Sequence, residues 1–244
     1  MENILLIAAS FWLAGTVKGA VGLGLPTVAI ALLSLLMTPM EAAALLLLPS
    51  LLTNLWQLAA GPDCAPLLRR LWPLLLGVCA GTAAGAALAQ RLRADWAGGA
   101  LGLALMVYAA LGLVAVSWSV PARLERWLAP LVGAATGVVS AATGVFVLPA
   151  VAYLQALGLG RDQLVQAMGL AFTVSTLALA LQLAWSGALH WRGAGASALA
   201  LLPALAGMAT GQWLRRKMPQ ALFRRCFFTA LMALGGQLLL RAAG

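Results

Sequence analysis

Residues 14–26 read AGTVKGAVGLGLP, and the reading of the whole chain turns on them. The stretch lies inside a long apolar segment, yet it carries what a plain membrane helix avoids. Gly15, Gly19, Gly22 and Gly24 follow at spacings of four, three and two, Pro26 closes the run, and Lys18 places a full charge in its middle. Glycine loosens a helix, proline removes a backbone donor, and a charge in hydrocarbon is costly. Such a patch survives at membrane depth only where protein surrounds it or where it lines a cavity. A related patch recurs at Gly133–Pro149. Two broken, glycine-rich apolar segments in matching halves of a chain point to a transporter's binding site.

Composition places that patch in a membrane. The 244 residues are 63% hydrophobic and 9% charged, against about 25% charged in a soluble domain. Mean hydropathy is +0.98, and apolar runs of spanning length follow one another with short gaps. The chain therefore reads as an all-α, polytopic membrane protein of about 8–10 membrane segments, multi-pass in a bacterial-type inner membrane, its partner the lipid bilayer. The net charge of +9 does not call for nucleic acid, because every Lys and Arg except Lys18 lies in or near a connection between apolar segments. Cys64, Cys79 and Cys226 have no metal or redox spacing and read as small apolar fillers.

The chain falls into two similar halves, 1–120 and 121–244. Gly15-x-x-x-Gly19 matches Gly133-x-x-x-Gly137 at an offset of 118, Gly24 matches Gly144 at 120, Thr53 faces Thr173 at 120, and Gly81-x-x-x-Gly85 matches Gly207-x-x-x-Gly211 at 126. Matches in one order with small drift indicate an internal duplication. Each half opens with a broken segment (Ile4–Met37 and Trp127–Leu157) and continues with a helix. In the first half that helix is Glu41–Ala60, with Thr38 or Pro39 near its cap. The turn Gly61-Pro62-Asp63 leads on to Leu71–Gln90 and Ala97–Ser117, and Val120–Arg126 links the halves. Leu164–Trp185, the connection at His190, Ala194–Leu214 and Leu222–Leu240 complete the second half.

Loop charges choose the topology. If each half crosses an even number of times, the cations divide 6 to 8. If each broken segment returns to its own side, Arg69, Arg70, Arg123, Arg126, Arg161, Arg215, Arg216, Lys217, Arg224 and Arg225 fall together. That is 10 cations, against the 4 of Arg91, Arg93, Arg192 and Arg241. The positive-inside rule prefers the second arrangement, which makes the halves inverted repeats with both termini outside the cytoplasm.

The candidate site follows from the breaks. Lys18 supplies a charge that attracts an anion, against the plainer reading that it snorkels or pairs with a carbonyl. Its counterpart is Thr136. Backbone N–H groups at Gly19, Gly22 and Gly24 suit an anion at a half-helix start, with Pro26 beginning the second arm. Ser140, Thr143 and Gly144 supply the second break, ahead of Pro149. Thr53, Asn54 and Thr173 flank the site from the following helices, while Gln57 reads as an amide bonded to a neighbouring helix. For Gly81/Gly85 and Gly207/Gly211 close helix packing is the better reading. Catalysis is not expected. Glu2, Glu41, Asp63, Asp95, Glu125 and Asp162 sit at segment ends, and His190 reads as an interface residue. No catalytic residue, metal site or cofactor is assigned. A proton relay of buried Asp, Glu or His is also missing from the apolar segments. The membrane potential favours expulsion of an anion, by about 2.3 kcal/mol per charge per 100 mV. Uptake would need a coupling ion, H+ or Na+, and a homodimer is compatible with such a bundle.

AGTVKGAVGLGLP, then Pro39-x-Glu41-Ala42 and LLLLPSLLTNLWQ (45–57), resembles the first half of the TauE/SafE family, the sulfite exporter or 4-toluene sulfonate uptake permease family. Gly133–Pro149, Gln166-Ala167-Met168-Gly169 and Phe172-Thr173 resemble its second repeat. The chain departs from the family's commoner double glycine before the first proline, with Gly24-Leu25-Pro26 and Gly144-Val145-Phe146 in that place. The resemblance implies a permease for small sulfur-containing or organic anions such as sulfite, thiosulfate or sulfonates. An anion channel and a non-transporting membrane scaffold or assembly factor are the alternatives.

Overall fold

The computed structural model describes residues 2–61, 64–89, 96–114, 119–187, 191–217 and 220–243. Pro62, Asp63, Arg91, Arg93, Asp95 and His190, named above, lie outside them. Ten helices and no strand occur among the described residues. The first five are α1 (Glu2–Val21), α2 (Leu25–Leu33), α3 (Pro39–Ala59), α4 (Cys64–Ala89) and α5 (Trp96–Val114). The second five are α6 (Ala122–Thr143), α7 (Ala150–Ala156), α8 (Arg161–Trp185), α9 (Trp191–Lys217) and α10 (Gln220–Ala243). Each set runs long, short, long, long, long. Among the described residues, six helices are long and apolar enough to cross a membrane: the windows Ile4–Val21, Pro39–Ala59, Cys64–Leu88, Ala97–Val114, Asp162–Trp185 and Ser197–Leu214.

Local chemistry sets several boundaries. Thr38 and Glu41 form a capping box at the start of α3: the Thr38 N–H donates to Glu41 Oε2 (2.9 Å) and the Glu41 N–H donates to Thr38 Oγ1 (3.3 Å). Two expectations change. Val120–Arg126 is not a link, because α6 begins at Ala122 and carries Arg123, Glu125 and Arg126 in its opening turns. Their long stems let charged residues begin a helix whose apolar part lies deeper. Likewise α4 starts at Cys64 and includes Arg69 and Arg70. The three cysteines are exposed, so none fills a core.

The helices form two compact units, residues 1–49, 94–116 and 188–244 in one and 50–93 and 117–187 in the other. In the first unit α1 lies against α9. A β-carbon on Gly15 or Gly19 would collide with the carbonyls of Ala204 and Met208, and one on Gly207 or Gly211 with those of Trp12 and Thr16. The partner numbers rise together, so the two helices run parallel. In the second unit α4 and α6 repeat the device. Gly133 and Gly137 press on the carbonyls of Leu74 and Val78, and Gly77 and Gly81 on those of Pro130 and Ala134. Only hydrogen side chains allow backbones this close, and in lipid such contact is itself the force that joins helices. The packing reading of Gly81 and of Gly207/Gly211 is therefore what the structure has, and Gly85 likewise faces Val138 and Ala141.

Other pairs run antiparallel. In the first unit α5 meets α10 with Gly102 against Gly235 and Leu239, and Gly112 against Phe228. In the second, Ser50 pairs with Thr176 (3.5 Å) and the Gln57 side chain donates to the Val165 carbonyl (3.0 Å), so this part of α3 runs opposite to α8. Gln57 thus bonds its neighbouring helix, as expected for a buried amide. Cations gather at one end of each unit. In the second, Arg70 pairs with Glu125 (2.7 Å) and also donates to the Leu157 carbonyl, bringing the starts of α4 and α6 to the α7–α8 connection. In the first, Arg215, Arg216 and Lys217 close α9, and Arg224 and Arg225 lie early in α10.

Replacing Gly81 or Gly207 with leucine is expected to cost roughly 1–3 kcal/mol or more, because the obstructing atoms are backbone. Gly98→Ala and Gly236→Ala, where a β-carbon meets open space, are expected to be near neutral. Thermal melting of the detergent-purified variants measures the difference.

Candidate functional site

The residues singled out in the sequence divide between the units. Lys18, Gly19, Gly22, Gly24 and Pro26 belong to the first. Thr53, Asn54, Ser140, Thr143, Gly144 and Thr173 belong to the second.

In the first unit, α1 stays helical through Gly15 and Gly19 and ends at Val21. The break is narrower than the glycine pattern suggests, because Gly15 and Gly19 serve the contact with α9 while keeping helical geometry. Gly22 (φ 84°) and Gly24 (φ 102°) turn the chain through left-handed backbone that other residues avoid. The Gly22 N–H closes α1 on the Lys18 carbonyl (2.7 Å), and the Val28 N–H opens α2 on the Gly24 carbonyl (2.9 Å). Pro26 stands in the first turn of α2, where its missing N–H costs nothing. An apolar cavity of about 310 Å³ is lined by Leu13 and Val17 of α1, Val28 and Leu32 of α2, and Phe227 of α10. Because α1 and α2 both line this cavity and pack on each other, α2 folds back against α1. Lys18 lies in the last turn of α1, just before the break, and is 4% exposed. Every residue of α2 except Leu32 is buried.

In the second unit, α6 ends at Thr143 and Gly144 (φ 75°) caps it, its N–H donating to the Ser140 carbonyl (2.8 Å). Thr143 gives its hydroxyl to the Val139 carbonyl (2.7 Å) and accepts from the Val145 N–H (3.2 Å), so it holds the break together. Ser140 is fully buried and its Oγ has no hydrogen-bond partner. Pro149 precedes α7, which is only seven residues long. Phe146 packs on Phe172 of α8 (5.6 Å between rings), and the Gln182 side chain of α8 donates to the Ala141 carbonyl (3.3 Å).

Thr53, Asn54 and Thr173 lie in the polar seam between α3 and α8. Asn54 donates to Ser50 Oγ (3.2 Å), Thr53 to the Ser50 carbonyl (3.1 Å) and Thr173 to the Gly169 carbonyl (2.7 Å). All three are buried.

Several polar residues inside the helices escaped the sequence reading, three of them beside the candidate residues. Thr27 in the first turn of α2 is wholly buried with an unpartnered Oγ1, Gln182 has an unpartnered Oε1, and Ser50 ties α3 to α8. Thr27 follows Pro26 directly, and that first-turn position was the available signal. Gln182 lies in the apolar last part of α8 and carried none.

The protein-family model described as sulfite exporter TauE/SafE matches residues 6–238. No curated protein and no solved structure matches the chain.

The left-handed glycines make a local prediction. Gly24→Ala forces a β-carbon into left-handed backbone, roughly 1–2 kcal/mol, and brings it 3.0 Å from Val17 Cγ1. Gly158→Ala, at φ 67° but facing open space, bears only the first cost. Melting of the two variants should rank Gly24→Ala as the less stable.

Proposed function

The chain belongs to the TauE/SafE family of membrane transporters, and we propose that it carries a small sulfur-containing or organic anion, such as sulfite, thiosulfate or a sulfonate, by alternating access. The observation behind the anion is Lys18, a buried cation in the last turn of an apolar helix. A charge in that position has to be matched by something negative or by local carbonyls, and function is its usual reason. Beside it begins α2, whose first N–H groups and dipole favour negative charge. Gly22, Gly24 and Pro26 shape that start, with Gly19 a turn earlier on α1.

Ser140, Thr143 and Gly144 shape a second break with no charge of its own. Their hydroxyls and backbone, with Thr53, Asn54 and Thr173 in the α3–α8 seam, are the neutral contacts that we assign to the transport path. A packing scaffold would also use the glycine contacts of α1 with α9 and of α4 with α6. It would leave the buried Lys18 and the two left-handed turns without a purpose.

We take the repeats to be 1–120 and 121–244, related by inversion. Equivalent helices in the two halves, α5 with α10 and α3 with α8, run antiparallel where they meet, which an inverted duplication requires. In the first unit the break of α1 lies toward the basic end, since α1 runs parallel to α9. In the second unit the break of α6 lies away from the basic end, where α6 begins. Reading the basic ends as cytoplasmic leaves both termini on the other face.

Two experiments check this. Detergent-purified protein titrated with sulfite, thiosulfate, sulfate, sulfonates and carboxylates should be stabilised selectively, since a ligand of the folded form raises its melting temperature. Lys18→Ala should insert normally and lose both the shift and transport. Unchanged transport would remove Lys18 from the site. For topology, a C-terminal alkaline phosphatase fusion should be active and a C-terminal fluorescent-protein fusion dark.

A further inference from the structure

Thr27 is the one residue at the first break whose chemistry is left unused. It is 0% exposed, and its Oγ1 has no hydrogen-bond partner. Threonines in the apolar helices normally return the hydroxyl to the carbonyl four residues back. Thr16, Thr136, Thr143, Thr173, Thr176 and Thr210 all do so here, at 2.7–3.0 Å. Thr27 cannot. Four residues before it stands Leu23, between the left-handed Gly22 and Gly24 and outside α2, so that carbonyl is not aligned along the helix. A buried hydroxyl without a partner is costly and calls for a reason.

Its position supplies one. Thr27 is the third residue of α2, a helix of nine residues, and helical side chains lean toward the N-terminus, here toward the break. A β-carbon on Gly22 would meet nothing within 4 Å, so there is open space at that turn. Lys18 is buried in the last turn before it. A buried cation, a helix start and a buried hydroxyl donor follow one another along the chain at this turn, a set that suits oxygen atoms carrying negative charge. The second break has no equivalent. At the offset of 120 that matches Gly24 to Gly144, Thr27 corresponds to Val147, buried and apolar.

We infer that Thr27 is a substrate contact at the first break, its hydroxyl donating to an oxygen of the bound oxyanion while Lys18 supplies the charge. The inference rests on the anion reading of Lys18 and adds a residue that selects for oxyanions over spherical anions such as chloride, which gain less from one directed donor.

The test uses full-length protein in detergent, titrated with sulfite, thiosulfate and methanesulfonate and followed by thermal shift. Thr27→Val keeps the shape and removes the donor. It should bind the best oxyanion about tenfold more weakly or worse, the loss typical of a hydrogen bond to a charged group. Thr27→Ser should stay within about threefold of the wild type. Without ligand, Thr27→Val should melt no lower than the wild type, because it removes an unpaired buried hydroxyl. A merely structural hydroxyl gives the opposite sign, with lower ligand-free melting and unchanged affinity. If Thr27→Val folds poorly, Thr27→Ala provides the same comparison. Unchanged affinity in Thr27→Val, with binding abolished by Lys18→Ala, overturns the Thr27 assignment alone. No binding of any of the three anions by the wild type contradicts the anion reading itself.

Discussion

Backbone pressed on backbone is the constraint from which the other features follow. In lipid there is no hydrophobic reward for joining two apolar helices, so contact area and close approach must hold them. Gly15 and Gly19 against Ala204 and Met208, and Gly133 and Gly137 against Leu74 and Val78, achieve this with no side chain in between. Those two contacts fix α1 and α6, the helices that then break. A break in a helix frees backbone groups that hydrocarbon cannot satisfy. It is tolerable here because the parent helix is clamped along the preceding turns and the following arm is buried. The eight buried residues of α2 and the left-handed turns at Gly22 and Gly24 are the result in the first unit.

The two breaks share a plan and differ in chemistry. The first has Lys18 before the turn and Thr27 after it. The second has Thr136 and Val147 in those places, and offers Ser140, with its unpartnered hydroxyl, and Gln182. The first break therefore carries a charged side chain and the second does not.

Much of this was legible in the residues. The all-helical membrane class follows from the spacing of apolar runs, and the two breaks from glycines and prolines that no plain span keeps. The start of α3 near Thr38 or Pro39 reads from the sequence, and the structure makes it a capping box between Thr38 and Glu41. The extent of the first break did not, because the residues of Gly-x-x-x-Gly look alike whether they bend a helix or let another approach it. Only the neighbour's carbonyl tells Gly19 from Gly22. The starts of α4 and α6 were misjudged for a related reason: arginine reads as loop in a hydropathy profile, although its long stem suits the first turns of a membrane helix. Thr27 was overlooked because a threonine in an apolar helix ordinarily bonds its own backbone. What exempts Thr27 is the backbone conformation of the four residues before it.

The central claim is that this chain by itself moves a small anion through a site built around Lys18. It is tested most directly by flux into liposomes that contain only this protein, using radiolabelled sulfite and thiosulfate with unlabelled sulfonates as competitors. The expected result is saturable flux that competitors suppress and that Lys18→Ala abolishes. Flux indistinguishable from empty liposomes, or a non-saturating conductance indifferent to Lys18, would contradict it.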